Sequence, residues 1–253
     1  NEVPRLLTTN KEFQAKFLSS QFLIQTFQTL SNTNNFAVHK HFISISQTLY
    51  PILALRFADN LLIAEAAFSI IDNKECQSSY AFGTISKYLF FAVHNYPSEM
   101  QEIFDLSTKI YPIMLKNIDR LCLLYFLCDV ITDRSLKLDY FLWISFKNLV
   151  GEEEAKKMVP VPLCQYLRPD GFYLPPNSLT DIHKTNIFLL LTLFFQQNEG
   201  TESVFSNYVS KYISSQKNIL PIMFNLALSI SPNNEIMQSA FNKVIQSLDD
   251  AGY

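Results

Sequence analysis

The chain has 253 residues (29.2 kDa), 20 basic and 23 acidic side chains and a formal net charge of −3, with a pI near 5.8. The length suits one large domain or two small ones with a sizeable core, and 48 % hydrophobic residues exclude a disordered chain. Charged residues make up 17 %, below the roughly 25 % of an ordinary soluble protein; there is no basic footprint for nucleic acid, and five glycines are too few for a turn-rich β-sandwich or for Gly-based dinucleotide loops.

The opening Asn1-Glu-Val-Pro-Arg5 has neither an initiator Met nor a signal-like apolar stretch, which leaves a fragment, a processed form or the ordered part of a longer chain as open readings. Apolar residues then recur at helical spacing. Leu23, Phe27 and Leu30 form the first stripe. Leu61, Ala64, Phe68 and Ile71 form the next, and Ile103, Leu106, Ile110 and Ile113 repeat its pattern. Phe205, Val209 and Tyr212, then Ile219, Ile222, Leu226 and Ile230, continue the series. Each stripe covers one helix face and needs a neighbour to bury it. The spacing predicts Phe68, Leu89, Ile110, Leu124 and Leu226 between helices.

Helix starts are expected near Glu12, Val38, Asn60, Gln77, Ser98, Asp119 and Leu138, and again near Thr180, Thr201, Gln216 and Asn233. Thr9-x-x-Glu12 and Ser98-x-x-Gln101 read as capping boxes, in which side chains satisfy backbone donors left free at a helix start. Ser231-Pro232 reads as a cap followed by a first-turn proline. A step of about 20 residues makes a helix pair repeat about every 40, the range of HEAT and armadillo arrays. The expected fold is all-α, an irregular α-solenoid of armadillo/HEAT-like helix pairs with essentially no sheet; a compact multi-helix domain is the alternative. Residues 1–157 and 180–253 form the two helical stretches, joined by a Pro-rich connector over 158–179.

That connector carries five of the eleven prolines. Arg168-Pro-Asp-Gly171 reads as a turn and Gly171-Phe-Tyr-Leu-Pro-Pro176 as an extended segment. Its first reading is a plain connector. Its second is a docking loop, with Arg168, Phe172 and Tyr173, of types enriched at interface hot spots, as anchors.

No spacing selects a catalytic or metal site. His39 and His41 point in different directions on a helix, while His94 and His183 read as surface or capped histidines. Asp129, Asp133 and Asp139, around Arg134 and Lys137, read as turn residues between helices, and Glu152-Glu-Glu154 with Lys156-Lys157 as a solvated helix end. Cys76, Cys122, Cys128 and Cys164 contain no Cys-x-x-Cys pair; Cys122 and Cys128 sit in an apolar run as small hydrophobes, which fits a reducing compartment, the cytoplasm. The apolar run Ile187 to Phe195 is short of the roughly 20 residues of a membrane span and reads as a buried helix. No enzyme activity, cofactor, nucleic acid or membrane span is expected.

Three pieces between about Lys11 and Asp133 resemble the SAPS family of regulatory subunits of type 6 serine/threonine phosphatases. They are Glu12-Phe13 with Phe17-Leu-Ser19 and Leu23; Asn60-Leu-Leu with Phe68-Ser-Ile-Ile-Asp72; and Tyr80-Ala-Phe82 with Ser86-Lys87, Leu89 and Pro97-Ser-Glu-Met100. Gly83-Thr-Ile85 interrupts the third piece. The resemblance implies an α-solenoid without an active site of its own that binds a phosphatase catalytic subunit and directs it to substrates. A structural subunit of a large multiprotein assembly, its aromatic surfaces buried by neighbours, is the competing reading.

Overall fold

The computed structural model describes residues 2–73, 76–150 and 179–197. Every regular element among them is helical. The chain divides into two compact units, Asn1–Leu136 and Lys137–Tyr253.

The first unit contains α1 (Glu2–Thr9), α2 (Lys11–Phe17), α3 (Ser20–Asn32), α4 (Phe36–Ser46), α5 (Tyr50–Ala58), α6 (Leu61–Ser69), α7 (Cys76–Asn95), α8 (Pro97–Leu106), α9 (Ile110–Lys116) and α10 (Leu121–Asp133). Short 3-10 turns, Gln47–Leu49 and Ile70–Asp72, follow α4 and α6. Local chemistry sets most boundaries. Asn10, Ser19, Asn35 and Asn60 cap α2, α3, α4 and α6 by accepting the backbone N–H groups of Phe13, Phe22, Ala37 and Ile63. Prolines in the first turn open α5 and α8. Arg134 stops α10 in the left-handed conformation, at φ 54°.

Two expected capping boxes are not formed. Thr9 is the last residue of α1 and donates its hydroxyl to the Arg5 carbonyl at 2.8 Å, so the neighbouring Asn10 caps α2 instead. Ser98 lies inside α8, whose start is set by Pro97, with Tyr96 before it offering no side-chain cap. The single stripe expected from Ile103 to Ile113 is two helices, because the chain leaves α8 at Ser107; Ile103 and Ile110 are buried while Leu106 is exposed. The predicted positions Phe68, Leu89, Ile110 and Leu124 are all buried. Leu226 and the later stripes lie outside the described residues.

A three-helix order recurs: α2-α3-α4, α5-α6-α7 and α8-α9-α10. Equivalent helices lie side by side, with α3 on α6, α6 on α9, α5 on α8, α4 on α7 and α7 on α10. Where side chains tie both ends of a pair in the same order, the two helices run parallel. Ser79 accepts from Arg120 near the start of α7 and α10, and His94 meets Asp133 at their ends. Asn60 donates to Ser20, and Asn73 to Asn34, bracketing α3 and α6. These side-chain ties between groups span 36 residues (Arg56 to Ser20) to 45 (Asn117 to Asp72).

Phenylalanine fills the joints. Phe27 on α3 packs edge-on against Phe42 (5.6 Å between centroids) and tilted against Phe57 (5.7 Å). In the next group Phe68 takes the same place, 5.8 Å from Phe82, 5.7 Å from Phe104 and 5.9 Å from Phe126. Offset and edge-to-face contacts of this kind add about 0.5–1.5 kcal/mol each beyond area burial. This use accounts for much of an unusually high Phe content.

In the second unit α11 (Asp139–Val150) packs on α12 (Asp181–Gln197); Phe141, Leu142 and Ile144 of the first and Ile187, Leu190 and Leu191 of the second are buried. The apolar run from Ile187 lies in α12, with Ile187, Leu190, Leu191 and Phe194 buried. Among the described residues no helix is long and apolar enough to cross a membrane.

Candidate functional site

The polar clusters of the first unit are committed to holding helices in place. Glu65, buried on α6, accepts the Ser107 hydroxyl on Oε1 and the Lys109 ammonium on Oε2, both at 2.8 Å. Ser107 Oγ in turn accepts the backbone N–H groups of Lys109 and Ile110 at 3.1 Å, capping α9. With its proton on Glu65 and both lone pairs occupied, this hydroxyl is no free nucleophile.

His94, Asp133 and Ser135 supply the residue types of a hydrolytic triad without its geometry. His94 Nδ1 lies 2.9 Å from Asp133 Oδ2, and the Ser135 hydroxyl donates to that same oxygen at 2.6 Å. A triad needs the hydroxyl on the imidazole, so that the ring can take its proton. Here both groups converge on the carboxylate. The Ser135 hydrogen bond, and then that of His94, hold the Asp133 carboxyl below its ordinary range. The cluster fastens the end of α10 to α7. Asp133 and Asp139 do sit at helix ends, whereas Asp129 lies within α10 rather than between helices.

His39 is fully buried. Its Nε2 donates to the Thr33 carbonyl at 2.9 Å, and its Nδ1 has no hydrogen-bond partner among the described residues. His41 is exposed, so the two histidines do point apart. His183 is buried against the Thr180 hydroxyl at 2.7 Å, the residue that precedes α12. Cys122 and Cys128 are free and half-buried rather than fully buried, and burial pushes both thiols up, away from the reactive thiolate. Among the described residues no group of three or more His, Cys, Asp or Glu side chains is placed to hold a metal ion.

What the first unit does present is an apolar row on the outer face of α4, α7 and α10. Phe36, at the start of α4, is 50 % exposed, and its ring stands 5.4 Å from that of Tyr80 on α7, itself 46 % exposed. Next to Tyr80, Ser79 accepts from the Arg120 guanidinium at 3.1 Å, and Arg120 immediately precedes Leu121. Leu121 and Tyr125, one turn apart on α10, are each 64 % exposed.

Arg168, Phe172 and Tyr173, the docking residues expected from the sequence, lie outside the described residues, as do the Glu152–Lys157 charges. The Phe36–Tyr80 row was missed by sequence reasoning because its members belong to different helices. One signal points to it: no Asp or Glu occurs between Glu12 and Asp59, or between Glu75 and Glu99, in a chain with 23 acidic residues.

No family model, curated protein or solved structure matches the chain.

Proposed function

We propose that the chain is a non-catalytic scaffold, an α-solenoid of armadillo/HEAT-like character that binds partner proteins. The observation that carries this reading is the recurring three-helix order with equivalent helices stacked in parallel. Stacks of this kind use their apolar stripes internally and leave one helix layer and the inter-repeat loops for partners. The exposed row from Phe36 to Tyr125 lies on such a layer. Tying up of Ser107, Asp133 and Ser135 in structural hydrogen bonds also favours binding over chemistry.

The resemblance to phosphatase regulatory subunits supplies the finer proposal, that the partner is a serine/threonine phosphatase catalytic subunit. The resembling pieces fall at the joints of the stack: Ser19 caps α3, Asn60 caps α6, and Asn60 Nδ2 donates to Ser20 Oγ at 3.3 Å. The free cysteines Cys122 and Cys128 favour a reducing compartment, and the cytoplasm is the proposed location.

Affinity purification of the chain from its native cell, followed by identification of co-purifying proteins, tests this. Recovery of a phosphatase catalytic subunit is the expected result, weakened by Phe172→Ala and Tyr173→Ala if the connector contributes a docking loop. A fixed set of assembly subunits would favour the structural-subunit reading instead. A chain that purifies alone would overturn both.

A further inference from the structure

We propose that the outer face of α4 and α7, continued on α10, receives an acidic, extended segment of a partner protein, its carboxylates pairing with Lys40 and Lys87 and its bulky apolar side chains seating along Phe36, Tyr80, Leu121 and Tyr125. This deepens the scaffold reading and rests on it.

The apolar half of the argument is geometric. Phe36 and Tyr80 come from different helices, yet their rings meet at 5.4 Å with about half of each side chain in solvent. Leu121 and Tyr125 extend the exposed surface onto the next helix of the same layer. Burial of aromatic side chains of this size is what gives an interface its anchors, and a partner's bulky apolar group is their complement.

Charge selects the partner. Lys40 follows Phe36 by one helical turn and Lys87 follows Tyr80 by two, so each cation shares a face with its helix's exposed ring. Both lysines are exposed, and among the described residues neither forms an ion pair. Lys16, Lys109 and Lys116, by contrast, each meet a carboxylate of this chain. Nor does either helix hold an internal competitor, because α4 and α7 contain no Asp or Glu at all. The basic stretch ends at α10, where exposed Asp129 lies one turn beyond Tyr125. The segment therefore lies with its carboxylates over α4 and α7, interleaved with apolar side chains on Phe36 and Tyr80, and continues as an apolar part over Leu121 and Tyr125. A second copy of this chain is a poor occupant. A two-fold interface on this face would set Lys40 and Lys87 of each copy against the carboxylate of Asp129, a charge imbalance that a partner with several carboxylates does not have.

The test is selection of random twelve-residue peptides displayed on phage against the full chain, followed by fluorescence anisotropy with the best synthetic peptide. The expected winners carry several Asp or Glu beside Phe, Tyr, Trp or Leu, and bind less well as salt is raised. The Lys40→Glu, Lys87→Glu double variant is expected to lose about tenfold or more in affinity, and the Gln, Gln pair less. Lys11→Glu, on α2, is expected to leave binding unchanged. Thermal melts followed by circular dichroism check that the variants fold, and the exposed Phe36→Ser and Tyr80→Ser supply an independent loss of binding. The proposal fails if no peptide is enriched, if the winners lack acidic residues, or if the charge reversal leaves their affinity intact. It also fails if sedimentation shows a dimer that Phe36→Ser and Tyr80→Ser dissolve, which would assign the face to a second copy. Failure here is separable from failure of the scaffold reading. A native partner still recovered by the Lys40→Glu, Lys87→Glu chain would keep the scaffold and discard this face, whereas a wild-type chain that purifies alone discards the scaffold itself.

Discussion

Ser107 donates its hydroxyl proton to Glu65 across 42 residues while accepting two backbone N–H groups at the start of α9. One oxygen thus joins a helix cap to a buried carboxylate. Ser107→Ala leaves the N–H groups of Lys109 and Ile110 without that acceptor and Glu65 with one partner fewer. Loss of about 1–2 kcal/mol is expected, read as a lower urea midpoint at unchanged slope. An unchanged midpoint would show that the cap contributes nothing.

Phe68 is fully buried and touches rings from α7, α8 and α10. Phe68→Ala is expected to destabilise by about 3–5 kcal/mol, and Phe68→Leu by less because it leaves a smaller cavity. Leu124→Ala, at the edge of the same core, belongs in a range of about 2–5 kcal/mol. Thermal melts of the three variants would expose a wrong assignment of the core if Phe68→Ala melted with the wild type.

Tyr88 and Ser46 share a buried hydrogen bond of 3.0 Å. Burial pushes the Tyr88 phenol above its ordinary 10.0, the nearby Tyr50 adds to this, and the Ser46 hydrogen bond opposes it. A raised folded pKa means that the folded state holds the proton more tightly than the unfolded chain. The contribution is complete below about pH 10 and is lost as pH rises from there through the folded value. Stability should therefore fall on alkaline titration, and less steeply in Tyr88→Phe. At neutral pH that variant loses one hydrogen bond, about 1 kcal/mol.

Asp133 behaves in the opposite sense. Its carboxyl is lowered from 3.8, first by the Ser135 hydroxyl and then by His94. The stability this confers is present above the ordinary carboxylate pKa and disappears as pH falls through the depressed value. Ser135→Ala should move the Asp133 carboxyl back up, followed as the chemical shift of its side-chain carbon during an acid titration. A titration curve identical to wild type would remove Ser135 as the main cause.

The class of fold was legible because its signal is local. Helix starts near Asn60, Gln77 and Thr180 lie within a residue or so of α6, α7 and α12, since Asn60 and Thr180 carry side chains that accept helix N–H groups. Phe68 and Leu89 are buried where periodicity places them. Failures arise where a distant residue decides. Periodicity carries a helix smoothly through Leu106 to Ile110, whereas the chain breaks at Ser107, whose hydroxyl caps α9 and is itself held by the Glu65 carboxylate on another helix. His39 looks like any polar residue on a helix until the Thr33 carbonyl and the packing of α4 enclose it. The exposed face was illegible for the same reason: Phe36 and Tyr80 become neighbours through the register of α4 on α7, which no spacing within either helix records.

The uniform reach of the ties between helix groups has a consequence for how the chain is made. Ser20 must wait 36 residues for Arg56, and Asp72 45 residues for Asn117, before its partner exists. At a synthesis rate of about 5–20 residues per second, each such interval is roughly two to nine seconds. A group of helices emerging from the ribosome thus finds its mate within seconds and need not hold its apolar face open until the far end of the chain appears. The unit can be closed in the order in which it is translated, each new group sealing the one before it.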